Sequence, residues 1–242
     1  MDILDDLIAS LREDASVRQV HTCVFWTAVV SRGCGLASTV REEGPHGKRK
    51  VKDVGSLHRK SAMELAAYAK SDFTLEATIG MAAINSLLEI DESLCIELNA
   101  RDFLLEKGKD KRVALVGHFP FIPQLRRAAE TLSVLEKYPT GDELPSEKAE
   151  EVVPQADLVA ITGTTLINHT LDHLLSLCQP DSLVMLLGPT APLSPLLFDY
   201  GVDIISGTKV TDEEAVLRCI SQGATFQQVE GVRLLTMSKS PQ

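Results

Sequence analysis

The segment Val113–Phe121 reads VALVGHFPF, and the rest of the chain is arranged around it. Val113 to Val116 are apolar without a break. A short unbroken apolar run marks a strand buried on both faces, the usual condition in a parallel sheet. Gly117 stops the run, and His118-Phe119-Pro120 makes a tight exit. Pro123 stands where a helix begins, and Gln124 to Glu130 continue it. Strand, glycine turn, helix is the opening unit of a nucleotide-type α/β domain. Sequence downstream repeats the unit and sequence upstream does not, so the segment also marks a change of domain.

Downstream, Leu132–Leu135 predicts a second strand, Leu158–Ile161 a third, Ser182–Leu187 a fourth and Val202–Ile205 a fifth. Thr140–Val153 reads as a loop or short helix. Helices are expected over Leu166–Cys178 and Asp212–Gln222. The strands exit through Gly117, Gly163, Gly188 and Gly207, each beside a polar turn. In an open parallel sheet such turns share one edge, at the carboxyl ends of the strands, and ligands bind there.

Upstream, Ile3, Leu4, Leu7, Ile8 and Leu11 share a helical face. Val20–Val30 is rich in β-branched and aromatic residues and reads as a strand. Ser31–Gly35 is a turn and Leu36–Val40 a second strand, together a hairpin. The two glycines of the turn, Gly33 and Gly35, allow backbone to approach something closely. His46–Lys52 reads as an exposed loop, Ser61–Lys70 and Thr74–Leu88 as helices, and Asn99–Glu106 as a linking helix before the polar linker Lys107–Lys111. The N-terminal part is therefore α+β, over residues 1–108, with the parallel-sheet part over 109–242.

A chain of 242 residues with 44% hydrophobic and 24% charged residues has material for a real core. The formal charge of −10 repels phosphate backbones and anionic lipid, which argues against nucleic-acid or membrane partners. The basic runs at 48–52 and 107–112 read as solvated loops. The cysteines, at 23, 34, 95, 178 and 219, are scattered, odd in number and without a C-x-x-C, which predicts reduced thiols and a cytoplasmic location. No secretory leader is read at the N-terminus. Leu183–Phe198 is broken by Gly188 and three prolines, too interrupted for a membrane span.

Several side chains are candidates for chemistry. His118 follows the central strand directly; it serves as acid/base, ligand or hydrogen-bond donor, or it closes the loop. Glu136 ends the second strand about twenty residues past Gly117, the placement of a ribose-binding carboxylate, or of a solvated strand end. Thr162, Thr164 and Thr165 offer hydroxyls and N–H groups to an anion, or cap a helix. Asn85, isolated among Ala82, Ala83, Ile84 and Leu87, needs partners, from the core or from a cleft. Cys34 fits a tight turn better than a reactive thiol. His169 and His173 have the i,i+4 spacing of metal ligands but fall opposite Ile167, Leu171 and Leu174, on the solvent face. Gly117 is not followed by G-x-G-x-x-G, and Pro120 and Pro123 lack N–H donors, which argues against a standard pyrophosphate site.

The tracts VALVGHFPFI, Leu135-Glu136, ADLVAITGTTLINHTLDHLL and LLGPTAPLSPLLFDYGVD, with GLAST at Gly35–Thr39 and AAINSLL around Asn85, resemble the putative heavy-metal chelation family. The resemblance implies an enolase-N-terminal-like domain followed by a Rossmann-like domain, with a ligand site in the cleft between them. It implies ligand contacts from Gly35, Thr39, Asn85, Gly117, His118, Phe119, Pro120, Glu136, Thr162, Gly163, Thr164, Thr165, Asn168, Gly188 and Pro189, with His118 as the catalytic candidate. It assigns no residue to a metal. Two functions follow as expectations. One is a handling protein for a small ligand, nucleotide-like or a metal chelate. The other is an enzyme, a transferase or a metallophore biosynthetic step, with a nucleotide-like cosubstrate. The expected partner is the small molecule, with a homodimer left open as the assembly.

Overall fold

The computed structural model of the chain describes residues 3–40 and 49–239. The loop read over His46–Lys52 therefore lies partly outside the described residues. The first helix, α1 (Ile3–Ser10), buries Ile3, Leu4 and Leu7 at helical spacing. Strands β1 (Gln19–Thr22), β2 (Trp26–Val30) and β3 (Cys34–Ser38) form an antiparallel sheet in that order. The expected hairpin is β2–β3, with Val30 opposite Cys34. The stretch Val20–Val30 is not one strand. The chain reverses at Cys23–Phe25, where the Cys23 N–H donates to the Trp26 carbonyl at 2.9 Å. High β propensity on both sides of a tight reversal hides the turn.

Helix α2 (Ala62–Ala66) starts in a capping box between Ser61 and Glu64, and a 3-10 turn, Ala67–Lys70, extends it. Helix α3 (Thr74–Leu87) is buried over most of its circumference, against the small sheet on one side and α2 on another. Two glycines permit this. A Cβ on Gly35 would stand 2.1 Å from the Ala82 carbonyl oxygen, and one on Gly80 would stand 1.9 Å from the Ala69 nitrogen.

The second part contains β4 (Cys95–Ile96), α4 (Ala100–Lys107), β5 (Arg112–Val116), α5 (Ile122–Ala128), β6 (Thr131–Glu136), β7 (Leu144–Pro145), α6 (Ala149–Val152), β8 (Leu158–Thr162), α7 (Leu171–Leu177), β9 (Leu183–Leu187), β10 (Ile204–Val210), α8 (Glu213–Ser221) and β11 (Val232–Ser238). Its strands form an eight-stranded sheet, β4-β11-β10-β9-β8-β5-β6-β7. From β10 to β7 all neighbours are parallel, while β11 pairs antiparallel with both β10 and β4. The fold is mixed α/β. As expected, β5 lies between parallel neighbours, and its Ala114 and Leu115 are 0% exposed.

Three readings need correction. Ser206-Gly207-Thr208 is not an exit turn: β10 runs on to Val210, because β11, unread in the sequence, pairs with it from Ile204–Ser238 to Val210–Val232. Leu166–Cys178 is not one helix. Gly163–Leu166 is a 3-10 turn, and His169 takes φ +58 before α7 begins. The linking helix α4 buries Phe103 and Leu104 in the cluster that holds Val113, Leu115 and Leu125, so it packs with the large sheet. The larger core cluster runs through both parts, from Ile3, Leu65 and Ile79 to Ala114, Ile161 and Leu186. Among the described residues no helix is long and apolar enough to cross a membrane.

Candidate functional site

The carboxyl ends of β5, β6, β8 and β9, with the middle of β10, open into one cleft of about 1490 Å³. This is the edge at which a parallel sheet leaves its strand-end backbone groups and loop side chains free for a ligand. Trp26 and Ser38 of the small sheet and Phe226 also line it. Trp26 is fixed there by its indole N–H, which donates to the Ala224 carbonyl at 2.9 Å, and by the Phe226 ring at 5.3 Å.

After β5, Gly117 turns the chain at φ +109, with the Thr162 side chain 3.0 Å from where a Cβ would be. A side chain at that φ is strained, so the turn requires glycine. The turn brings His118, Phe119 and Pro120 to the cleft. Phe119 and Phe121 stack at 5.2 Å. His118 Nδ1 lies 2.5 Å from Oε1 of Glu143, in the loop before β7. The other oxygen of Glu143 accepts the Thr140 N–H at 2.8 Å and the Thr140 hydroxyl at 3.0 Å. The Glu143 side chain is 6% exposed and that of His118 63%. The Thr140 amide, and after it His118, hold the Glu143 carboxyl below the usual carboxylate range. Sequence reasoning missed Glu143. The available signal was Thr140-Gly-Asp-Glu143, the spacing at which a threonine and a glutamate share hydrogen bonds across three residues.

At the end of β6, Glu136 lines the cleft and its Oε2 accepts the Lys137 N–H at 3.1 Å. After β8, Thr162 Oγ1 accepts from the Thr164 N–H at 3.4 Å and the Thr165 hydroxyl donates to the Thr162 carbonyl at 2.7 Å. Thr162 caps the 3-10 turn that contains Thr164 and Thr165, and all three, with Asn168, also line the cleft. The Asn168 side chain is tied to the Thr170 hydroxyl at 2.6 Å. Gly188, at φ +107, and Pro189 complete this edge.

Gly35, Thr39, Asn85 and Gly163 do not line the cleft. Gly35 is pressed on α3. Gly163 is pressed on the backbone after β9, with the Ala191 nitrogen 2.4 Å from the place of a Cβ. Thr39 shares a 3.0 Å hydrogen bond with Thr27. Asn85 donates to the Leu36 carbonyl at 2.9 Å and the Thr190 carbonyl at 3.2 Å, and its Oδ1 is buried with no protein partner. The hairpin turn does not close over the cleft: the Gly33 N–H donates to the Ser86 carbonyl at 3.0 Å. His169 and His173 are both exposed, but not as i,i+4 neighbours on a helix. His169 bonds the Ala69 carbonyl at 2.8 Å, and His173 stands 3.9 Å from Glu150. Among the described residues no three His, Cys, Asp or Glu side chains are grouped to hold a metal ion. Burial pushes the Cys34 thiol up to about 12, which keeps it protonated and unreactive.

A mixed α/β protein whose mostly parallel sheet opens a large cleft at its carboxyl edge is the class that fold and site define. The sequence places it more closely. Residues 99–238 match the DUF364 family and residues 4–88 the DUF4213 family, both described as "Putative heavy-metal chelation", and the chain belongs to this family. An uncharacterized protein of Methanocaldococcus jannaschii is 33% identical over 88% of this chain and 85% of its own length. A crystal structure of a DUF364-family protein of unknown function from Desulfitobacterium hafniense superposes with a TM-score of 0.84 at 28% identity, covering 98% of each chain. One from Pyrococcus horikoshii gives 0.82 at 21% identity and the same coverage, a likeness of fold.

Proposed function

We propose that the chain is a small-ligand handling protein. Its ligand lies in the cleft between the small-sheet unit and the large-sheet unit, and a heavy metal enters as part of an organic chelate. The observation that carries this reading is the convergence of β5, β6, β8, β9 and β10 on one cleft of about 1490 Å³. Ligand sites are usually about 300–1,000 Å³, so a bulky chelate is accommodated. The lining supports an organic ligand better than a bare ion. It combines Trp26, Phe119 and Phe226 with scattered polar groups and lacks a three-ligand metal cluster among the described residues. Thermal unfolding in the presence of free Zn²⁺, Ni²⁺ and Co²⁺, of their organic chelates, and of nucleotides and S-adenosylmethionine tests it, because a bound ligand raises apparent stability by mass action. Stabilisation by a chelate and not by the free ion is expected. Stoichiometric stabilisation by the free ion alone would overturn the chelate reading.

A second reading, an enzyme with a nucleotide-like cosubstrate, is favoured by Glu136. This carboxylate stands at the end of β6, beside the central strand and on the cleft. Glu136→Ala then weakens a ribose-containing ligand by about 1–3 kcal/mol, the cost of removing a charged hydrogen-bond acceptor. Equal nucleotide affinity in wild type and variant would leave Glu136 as a strand end.

A further inference from the structure

We infer that His118 and Glu143 form a carboxylate–imidazole dyad in which Glu143 is a positioning residue and Nε2 of His118 is the proton acceptor for an O–H or N–H group of the cleft ligand. The inference rests on the cleft reading for its ligand and on geometry alone for the dyad. Glu143 has one oxygen, Oε2, that already accepts two hydrogens, from the Thr140 amide at 2.8 Å and the Thr140 hydroxyl at 3.0 Å. A glutamate carboxyl, with an ordinary pKa of ~4.3, is ionised at neutral pH, and two donors on one oxygen favour that form, which has only acceptors to offer. Oε1, 2.5 Å from His118 Nδ1, must therefore receive a hydrogen from the ring. That fixes the tautomer: Nδ1 carries the hydrogen, and in the neutral imidazole Nε2 carries a lone pair. Nε2 has no protein partner among the described residues, and the ring, 63% exposed, lines the cleft. Thr140 holds the carboxylate, the carboxylate holds the ring, and Gly117 aims the segment.

Proton transfer in this arrangement balances without another reactant. The ligand's X–H proton passes to Nε2, and the bonding pair stays on X. The Nδ1 proton remains on the ring, beside the Glu143 carboxylate, which stabilises the imidazolium and takes no proton itself. The alternative use of a histidine oriented by a carboxylate is metal ligation through the free nitrogen. An imidazole that belongs to no group of three His, Cys, Asp or Glu side chains among the described residues favours the proton.

The test uses the ligand-free full chain labelled with ¹⁵N-histidine, at about pH 8, above the ordinary histidine pKa of ~6.5. Long-range ¹H–¹⁵N spectra should show a single Nδ1–H tautomer at His118, assigned by its disappearance in His118→Gln. Glu143→Gln should lose that single tautomer, since an amide both donates and accepts. Diethyl pyrocarbonate, which attacks a neutral imidazole lone pair, should modify His118 in the wild type and more slowly in Glu143→Gln. An Nε2–H tautomer, an unreactive His118, or spectra unchanged in Glu143→Gln would overturn the dyad. Stoichiometric Zn²⁺ binding abolished by His118→Gln would overturn the proton-acceptor role. If Glu143→Gln does not fold, the wild-type tautomer and reactivity decide. None of these readouts needs a ligand, so the dyad and the cleft reading fail separately.

Discussion

The backbone N–H of Ser38 donates to Oγ1 of Thr190 at 2.9 Å, joining the end of β3 to the loop after β9 across 152 positions of sequence. Thr190 is 1% exposed, and both residues line the cleft. The loop after β9, which lines the cleft, is thus tied to the small sheet.

Thr190→Val keeps the shape and removes the acceptor. It leaves the Ser38 N–H without its partner, at a cost of about 1–3 kcal/mol. Urea unfolding of the two proteins measures it, and equal midpoints would show that the joint is held elsewhere.

The hairpin glycines separate a packing role from a conformational one. Gly35→Ala puts a methyl group 2.1 Å from the Ala82 carbonyl oxygen and 2.3 Å from the Ser86 nitrogen, both backbone atoms of α3. Helix and sheet must part, at about 3 kcal/mol or more. Gly33→Ala meets only the Ser86 carbonyl oxygen at 3.5 Å, an ordinary contact at an exposed position. Its effect should stay within about 0.5 kcal/mol. A reversed order in chemical denaturation would contradict the packing account.

His169 and His173 are equally exposed in pattern and unequal in structure. His173→Ala removes an exposed ring and should change stability by less than about 0.5 kcal/mol. His169→Ala removes the 2.8 Å bond to the Ala69 carbonyl and leaves alanine at φ +58, where histidine is better tolerated. A loss of about 1 kcal/mol is expected, the scale of one net hydrogen bond. Identical melting of both variants would return His169 to the role of plain surface residue.

These cases show what the sequence made legible. The central strand was readable because burial on both faces leaves an unbroken apolar run, and Val113–Leu115 is buried in the structure. The strand exits were readable because Gly117 and Gly188 have backbone angles that favour glycine. Strand β11 was not, because Val232–Ser238 mixes Arg233 and Thr236 into its apolar residues and draws its identity from pairing with β10. Glu143 was hidden among the charges of an acidic loop, where only the fold brings His118 to it. Gly35 and Asn85 were singled out for a cleft, yet both serve the joint between β3, α3 and the loop after β9. A sequence shows that a glycine or an amide is needed, and not whether backbone or ligand needs it.

The Arg112–Asp157 pair ties the start of β5 to the start of β8. The carboxylate accepts from the Arg112 amide at 2.9 Å and from its guanidinium at 2.6 Å, and these bonds lower its pKa to about 2. A depressed carboxylate pKa contributes stability that is present above the unfolded value, ~3.9, and lost as pH falls through the folded one. The side chains are 52% and 34% exposed, so solvent holds the contribution to no more than about 1 kcal/mol. Asp157→Asn should be less stable than wild type at neutral pH, with the gap closing between about pH 4 and the folded value of about 2. Urea titrations at pH 7 and at about pH 3 measure it; a gap that widens on acidification would reverse the assigned sign.

Position 85 requires a hydrogen donor. The Asn85 amide nitrogen donates to the Leu36 carbonyl at 2.9 Å and to the Thr190 carbonyl at 3.2 Å. These oxygens fix the orientation of the amide, since a flipped carbonyl would face two acceptors. Asn85→Asp is isosteric and inverts the chemistry, because an ionised carboxylate brings no hydrogen to either oxygen. The loss should exceed the 1–3 kcal/mol of an unsatisfied neutral group, because a charge is left against carbonyl oxygens. The environment disfavours the charged form and so raises the folded-state pKa of the new carboxyl. A raised carboxyl pKa makes the destabilisation small below the unfolded value, ~3.9, and full only above the folded one. The protonated acid recovers one donor, so the variant should approach wild-type stability as pH falls. Asn85→Ala, with no ionisable group, should show a penalty independent of pH. Parallel pH profiles for the two variants would mean that Asn85 does not bridge β3 and the loop after β9 through its donor hydrogens.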